Sequence, residues 1–198
     1  MSLSKPLSSS GHNGSVIWLA ACLLVLLGGC ANGGLHHHGE HQFAVTGLFA
    51  HPFDETGRGD NAGATLGYAY YFHDRWAFLA EVTPYRNYNI PDGDAAASSW
   101  QIGVRWHFWE FEAGELPVGL YADLRAGMMY SSRSVPRDGE NVNFIEDIGL
   151  GCELKLADNL SWMTGCRLSH LSHAHVFGGA PNPGQDDFVV YTGLGFSW

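Results

Sequence analysis

From Phe43 to the end of the chain, apolar and polar residues alternate with a period of two, which is the pattern of β-strands and not of helices. The clearest segment runs from Trp100 to Trp109. Its two faces are Trp100, Ile102, Val104, Trp106 and Phe108 against Gln101, Gly103, Arg105, His107 and Trp109. One face is large and apolar and the other is mostly polar or small, which predicts a strand with a single apolar face.

The alternation recurs in eight segments, which we predict to be antiparallel strands. They cover residues 42–51, 62–73, 76–88, 97–110, 117–130, 142–156, 160–173 and 186–198. The connections after the second, fourth and sixth segments are short, whereas the others are longer and rich in Gly, Pro, Asp and Asn. Short turns at one end and long loops at the other are typical of bacterial outer-membrane β-barrels.

The size of the apolar side chains decides which face points outward. An eight-stranded barrel has no room inside for a Trp or Phe from nearly every strand, so we expect these rings to face lipid. Glycines and charged residues then fill the interior, where the charges are expected to neutralise one another (Glu81, Arg105, Asp123, Arg125, Asp147, Glu153, Lys155 and Arg167). The sequence therefore predicts an all-β, eight-stranded antiparallel transmembrane β-barrel.

The N-terminal residues have the pattern of an export signal. The apolar stretch from Val16 to Leu27 is too short for a transmembrane helix and follows Lys5. It ends in a Leu-Gly-Gly-Cys tetrad that looks like a lipobox, with Cys30 as the acylated mature N-terminus. We predict a signal peptide of the lipoprotein type over residues 1–29, a tether over 30–41 and the barrel over 42–198. The alternative is an ordinary signal peptide with a chance cysteine.

The predicted tether is rich in histidine, with His36, His37, His38 and His41 close together. Such a run could hold a transition metal. The favoured interpretation is a flexible, solvated linker with incidental metal affinity, and no metal site is assigned to it. A metal-handling device on a passive anchor is the weakest of the functional hypotheses.

Charge and cysteine content narrow the function further. Among 198 residues, 20 are acidic and 10 are basic, which argues against a nucleic-acid partner. The 26 glycines fit closely packed, strongly twisted strands. Cys152 and Cys166 have no zinc-site spacing, and the residues leave open whether they form a cross-strand disulfide or are two unrelated lipid-facing thiols.

Candidate chemistry lies on the outward face of the seventh predicted strand. His170 and Ser172 are two residues apart, with Cα atoms about 6.5 Å from each other, so the imidazole could serve the hydroxyl as general base. Asp186 would complete the set if it lies opposite His170. Glu146 would do so if Cys152 pairs with Cys166, because it then lies opposite Ser172. A pair of polar side chains in the headgroup zone is the structural alternative.

The stretch Arg167-Leu-Ser-His-Leu-Ser-His-Ala174, followed by Pro181-Asn-Pro-Gly-Gln-Asp186, resembles the lipid A 3-O-deacylase (PagL-like) family of outer-membrane barrels. Members of that family remove the 3-position acyl chain of lipid A with a Ser-His-Glu set on the outer wall. The resemblance implies Ser172 as nucleophile, His170 as base and Asp186 as acid, in preference to Glu146.

Two positions depart from the family pattern. The acid is Asp186 where the family has Glu, and His173 replaces an Asn that helps to form the oxyanion hole. The expected oxyanion donors are then the side chain of His173 and backbone N–H groups near Ala174 and His175.

The resemblance implies a serine esterase that acts on lipid A or lipopolysaccharide in the outer membrane and needs no cofactor. The oligomeric state is left open, with a homodimer among the alternatives. The competing hypothesis is a non-catalytic barrel, structural or adhesive, whose loops bind a ligand.

Overall fold

The computed structural model describes residues 34–53, 59–88, 93–136, 139–173 and 184–198, and these residues form one closed β-barrel. The predicted signal peptide and Cys30 lie outside the described residues. The strands are β1 (His41–Pro52), β2 (Asn61–His73), β3 (Trp76–Asn87), β4 (Ala95–Ala113), β5 (Leu116–Ser131), β6 (Val142–Ala157), β7 (Leu160–Ser172) and β8 (Gln185–Ser197). Each strand pairs antiparallel with the next, and β8 pairs with β1. The predicted fold is confirmed.

The two ends of the barrel differ as the sequence predicts. The short turns after β2, β4 and β6 lie at one end, which we call the turn end, and the longer connections lie at the other, the loop end. The β4–β5 turn contains Gly114 at φ 70°, a conformation that favours glycine. Among the described residues, no helix is long and apolar enough to span a membrane.

The outer wall is apolar along all eight strands. On each strand, large hydrophobic side chains at alternate positions face outward and are exposed, among them Trp100, Ile102, Leu150 and Phe188. One prediction is wrong in detail: Trp109 was expected on the polar face but is 62 % exposed on the outer wall. The pairing of β4 with β5 shifts by one residue between His107 and Trp109, and such a bulge moves the following side chain to the opposite face.

The interior is filled by a network of buried charges. Asp123 accepts hydrogen bonds from Arg105 (Nε to Oδ1, 2.9 Å) and Arg125 (Nη2 to Oδ2, 2.5 Å). Glu81 lies 3.2 Å from Arg125 and 3.4 Å from Arg167. Asp123 and Glu81 are therefore opposed by guanidinium groups, as expected. Glu153 and Lys155, which were expected in the same network, instead contact His36 and Glu40 at the turn end. Because side chains occupy the interior, ligand chemistry belongs to the outer wall, the loops or the ends of the barrel.

Removing one charge from this network is expected to destabilise the barrel strongly. Asp123→Asn leaves Arg105 and Arg125 without their shared carboxylate, and breaking a buried ion pair costs about 3–5 kcal/mol of unfolding free energy. Urea unfolding of the protein in lipid vesicles, followed by tryptophan fluorescence, measures the change. Asp158→Asn, on the exposed β6–β7 turn, is the control and should change the value by less than about 0.5 kcal/mol. Equal values for the two variants would contradict the role of the network.

The segment before β1 differs from the solvated linker that was expected. From Gly34 to Glu40 the chain folds against the turn end, and the side chain of His36 is fully buried. Its Nδ1 lies 2.8 Å from Glu40 Oε1, and Lys155 Nζ lies 3.6 Å from the same oxygen. Burial opposes ionisation of Glu40, but the hydrogen bond and charge of His36 outweigh it and lower the pKa of Glu40 to about 2. Only His37 and His38 of the histidine run are exposed there.

Candidate active site on the outer wall

The candidate residues meet at the loop end of β6, β7 and β8. His170 pairs directly with Asp186 on β8 and with Glu146 on β6, so the imidazole stands between two carboxylates. All three side chains are exposed on the outer wall. Ser172 is the last residue of β7, is half-buried and pairs with Phe144. The structure thus brings the predicted serine, histidine and both candidate acids onto one patch.

The geometry distinguishes the two carboxylates. His170 Nδ1 lies 2.6 Å from Asp186 Oδ1, a short hydrogen bond between side chains that are 48 % and 65 % exposed. An imidazole whose Nδ1 donates to a carboxylate has its lone pair on Nε2, which is the nitrogen that a general base uses. The predicted placement of Asp186 opposite His170 is therefore present in the structure.

The position of Glu146 differs from the one predicted. It was expected opposite Ser172, on the assumption that Cys152 pairs with Cys166, but it lies opposite His170. The β6–β7 turn is tight, with Ala157 paired to Leu160, and a register shift follows Lys155. Together these features displace the pairing by two residues from the expected register.

The same register settles how the two cysteines are placed. Cys152 pairs with Thr164, Cys166 pairs with Leu150, and both thiols are free. Cys152 and Cys166 do not form a cross-strand disulfide in this structure. The two cysteines are separate side chains on the outer wall.

The imidazole of His170 lies close to Gly184, the residue before β8. A Cβ atom on Gly184 would lie 3.1 Å from His170 Cε1 and 3.7 Å from Nε2. The Cε1–Nε2 edge of the ring therefore faces Gly184, toward the loop end. Extending the β7–β8 register by one residue places Ser172 beside this glycine, so the Cε1–Nε2 edge faces the end of β7 at which Ser172 lies. The sequence motif contained Gly184, but only the structure indicates why a side chain there would interfere.

The predicted oxyanion residues are placed less favourably. The side chain of His173 is 1 % exposed, whereas Ser172 and His170 face outward. Alternate residues of a strand point to opposite faces, so this burial argues against the imidazole of His173 as a donor to an ester on the outer wall. Ala174 and His175 lie outside the described residues.

The wall below the patch is apolar. The next outward row toward the turn end consists of Ile148, Leu168 and Phe188, which are 37 %, 47 % and 42 % exposed. Beyond it, smaller side chains line a shallow surface cavity of about 870 Å³, among them Cys152, Thr164, Cys166 and Thr192. The polar patch around His170 borders this apolar wall on its loop-end side, which is the arrangement expected at the boundary between lipid headgroups and acyl chains.

A second histidine–carboxylate pair lies nearby, which the sequence pattern did not indicate. His51, near the loop end of β1, has its Nδ1 2.6 Å from Asp60 Oδ1, and β1 is the neighbour of β8. His51 pairs with Phe188, so the two imidazoles lie on the same side of the barrel. His51 and His170 are distant in sequence, and it is the closure of β8 onto β1 that brings them to the same side.

Comparison with known proteins identifies the family and supports the fold. The sequence model of the lipid A 3-O-deacylase (PagL) family matches residues 63–194, which contain His170, Ser172, Asp186 and Glu146. No curated protein has significant sequence similarity to the chain.

Several solved structures resemble the barrel, including the following two. Neisserial surface protein A (NspA) has a TM-score of 0.53 at 14 % identity, over 79 % of this chain and 95 % of that one. The outer membrane protein OprG from Pseudomonas aeruginosa has a TM-score of 0.53 at 12 % identity, over 82 % of this chain and 97 % of that one. At such identities the likeness establishes the fold alone.

Proposed function

Because the chain belongs to the lipid A 3-O-deacylase (PagL) family and is a bacterial outer-membrane β-barrel, we propose that it is a serine esterase that removes an ester-linked acyl chain from lipid A in the outer leaflet. The observation that carries this proposal is the 2.6 Å hydrogen bond between His170 and Asp186 on the outward face of β7 and β8, two residues from Ser172. Lipid A, as part of lipopolysaccharide, is the proposed substrate.

The proposed reaction follows the serine–histidine–carboxylate pattern. His170 Nε2 takes the proton of Ser172 Oγ as the oxygen attacks the ester carbonyl, and Asp186 stabilises the imidazolium that forms. Collapse of the tetrahedral intermediate breaks the bond to the sugar oxygen, which receives the proton from His170. Water then attacks the acyl-serine by the same route and releases a fatty acid. Backbone N–H groups just after Ser172 are the proposed donors to the oxyanion.

The apolar wall below the patch accounts for how a substrate would reach the serine. An acyl chain that runs along Leu168 toward the cavity at Cys166 remains in an apolar environment while its ester lies at Ser172. The glucosamine and phosphate groups then remain at the loop end, in water. A lipid substrate therefore need not leave the membrane to react.

The proposal is tested with the purified protein in mixed micelles with lipid A. The expected products are one free hydroxy fatty acid and a lipid A lighter by that acyl group, detected by mass spectrometry. An unrelated eight-stranded barrel, purified in the same way, is the control for contaminating esterases. Intact lipid A after prolonged incubation with folded protein would contradict the proposal and would favour the non-catalytic barrel.

Gly184 provides a test of the position of the imidazole. Gly184→Val places a branched side chain against the Cε1–Nε2 edge of His170, and a displacement of about 1 Å can cost about 100-fold in rate. We expect kcat to fall by about 10- to 100-fold while the barrel stays folded. Folding is judged by heat-modifiable mobility, the difference in gel migration between boiled and unboiled protein. An unchanged kcat would mean that the ring has another orientation during the reaction.

A further inference from the structure

A second cluster of buried polar side chains lies at the turn end, at the opposite end of β7 and β8 from the proposed esterase site. The backbone N–H of Gly39 donates to Tyr71 O (2.8 Å), and that of Tyr71 donates to Glu40 O (2.9 Å), which ties the segment before β1 to β2. The ring of His36 stacks on Tyr71 with centroids 3.9 Å apart. These contacts place His36 of the N-terminal run inside the turn end of the barrel.

His36 faces two further groups that can bind a metal. His36 Nε2 lies 3.1 Å from Glu153 Oε2, His107 Nε2 lies 3.4 Å from the same oxygen, and all three side chains are 0 % exposed. The three ligand atoms lie within 4.8 Å of one another. Tetrahedral zinc with ligands at about 2.0–2.2 Å places them about 3.3 Å apart. The cluster therefore has the spacing of a partly assembled zinc coordination sphere.

These close approaches lack the alignment of hydrogen bonds. Within the described residues, His36 Nε2, both ring nitrogens of His107 and Glu153 Oε2 have no hydrogen-bond partner. Buried polar atoms without a partner are costly, and their convergence on one point calls for a shared ligand. The cluster also contrasts with the charge network farther along the barrel. Asp123 and Glu81 there are paired with arginines, whereas the ion-pair partners of Glu153 within the described residues are two imidazoles.

Neighbouring groups orient two of the three side chains, His36 and Glu153, as outer-shell partners of metal sites do. Glu40 Oε1 accepts from His36 Nδ1 at 2.8 Å, which leaves the lone pair on Nε2, the nitrogen that faces Glu153. Gln42 Nε2 donates to Glu153 Oε1 at 2.8 Å and leaves Oε2 toward the imidazoles. A carboxylate behind a ligating histidine fixes its tautomer and raises its basicity.

We propose that His36, His107 and Glu153 form a Zn²⁺ site that fastens the N-terminal segment to the turn end of the barrel, with water in the fourth position. Two imidazoles and one carboxylate are a donor set that zinc accepts. Since His107 and Glu153 belong to β4 and β6 and His36 precedes β1, the ion would bridge three separate parts of the chain. The proposal is independent of esterase activity, because none of its residues lies in the patch around His170.

The test is a measurement of zinc binding by untagged protein purified in detergent and stripped of metal with EDTA. After dialysis against Zn²⁺, elemental analysis is expected to find one ion per wild-type chain. His36→Gln should weaken Zn²⁺ binding by at least about 100-fold and leave the barrel folded, because the residue precedes β1. Glu40→Gln should weaken it by about 10- to 100-fold through the lost outer-shell contact.

The matched control is the double variant His37→Gln/His38→Gln, which removes the two exposed histidines of the same run. It should bind one zinc ion as tightly as the wild type, and zinc should raise its unfolding temperature and that of the wild type but not that of His36→Gln. Absence of zinc from the wild type, or an equal loss of binding in the control and in His36→Gln, would overturn the proposal. The first result would indicate that a protonated His36 alone joins Glu40 and Glu153.

Discussion

Replacing Ser172 with alanine is expected to reduce release of fatty acid from lipid A by about 10⁴- to 10⁶-fold, with little change in the stability of the barrel. The hydroxyl is the only part of the side chain that is lost, and removal of the nucleophile from a serine–histidine set has effects of this size. The measurement is kcat for the purified variant with lipid A in mixed micelles. KM should change little, because the acyl chain and the headgroup bind elsewhere on the wall.

Ser169→Ala is the matched control. Ser169 lies on the same strand three residues earlier, but its side chain faces inward and is buried. It should keep nearly full activity, whereas Ser172→Ala should be inactive. Activity in Ser172→Ala comparable with the wild type would exclude this serine as the nucleophile, whatever the family relationship implies.

The two carboxylates that flank His170 are expected to differ strongly in their effect on catalysis. Asp186→Asn should lower kcat by about 10²- to 10⁴-fold, because an amide in contact with Nδ1 favours the wrong imidazole tautomer and cannot stabilise the imidazolium. Glu146→Gln should lower kcat by less than about 10-fold, since the hydrogen bond of His170 Nδ1 goes to Asp186. Both variants are compared by kcat under the same conditions, at pH 7 and pH 8.

Two further variants make this comparison decisive. Asp186→Glu restores the acid of the family pattern and should keep at least about a tenth of the activity. His51→Gln removes an imidazole from the other histidine–aspartate pair and should affect kcat far less than His170→Gln. If Glu146→Gln were the more damaging of the two carboxylate variants, Glu146 would be the acid, and the hydrogen bond to Asp186 would not be the one used in the reaction.

The strands were predictable because period-two alternation is a local property of the sequence. Each predicted strand end lies within three residues of the observed one; β4, for example, was predicted over 97–110 and runs from Ala95 to Ala113. The bulge between His107 and Trp109 was not predictable from alternation. It depends on how β4 and β5 accommodate an extra residue, and it placed Trp109 on the outer wall instead of the inner one.

The candidate site was predictable where it depends on a single hairpin and less so where it depends on several strands. His170 and Ser172 share one strand, and the β7–β8 pairing with Asp186 followed from the motif. The position of Glu146 was wrong by two residues, because neither the tight β6–β7 turn nor the register shift near Lys155 is marked in the sequence. The burial of His36 was also missed, since the contacts that hold it come from β2, β4 and β6.

Deacylation of lipid A by Ser172 on the outer wall is tested most directly by mass spectrometry of lipid A from cells that produce the wild type or Ser172→Ala at matched outer-membrane levels. We expect loss of one hydroxyacyl mass with the wild type and an unchanged spectrum with the variant. The same loss in both, or in neither while both barrels are folded, would contradict this role of Ser172.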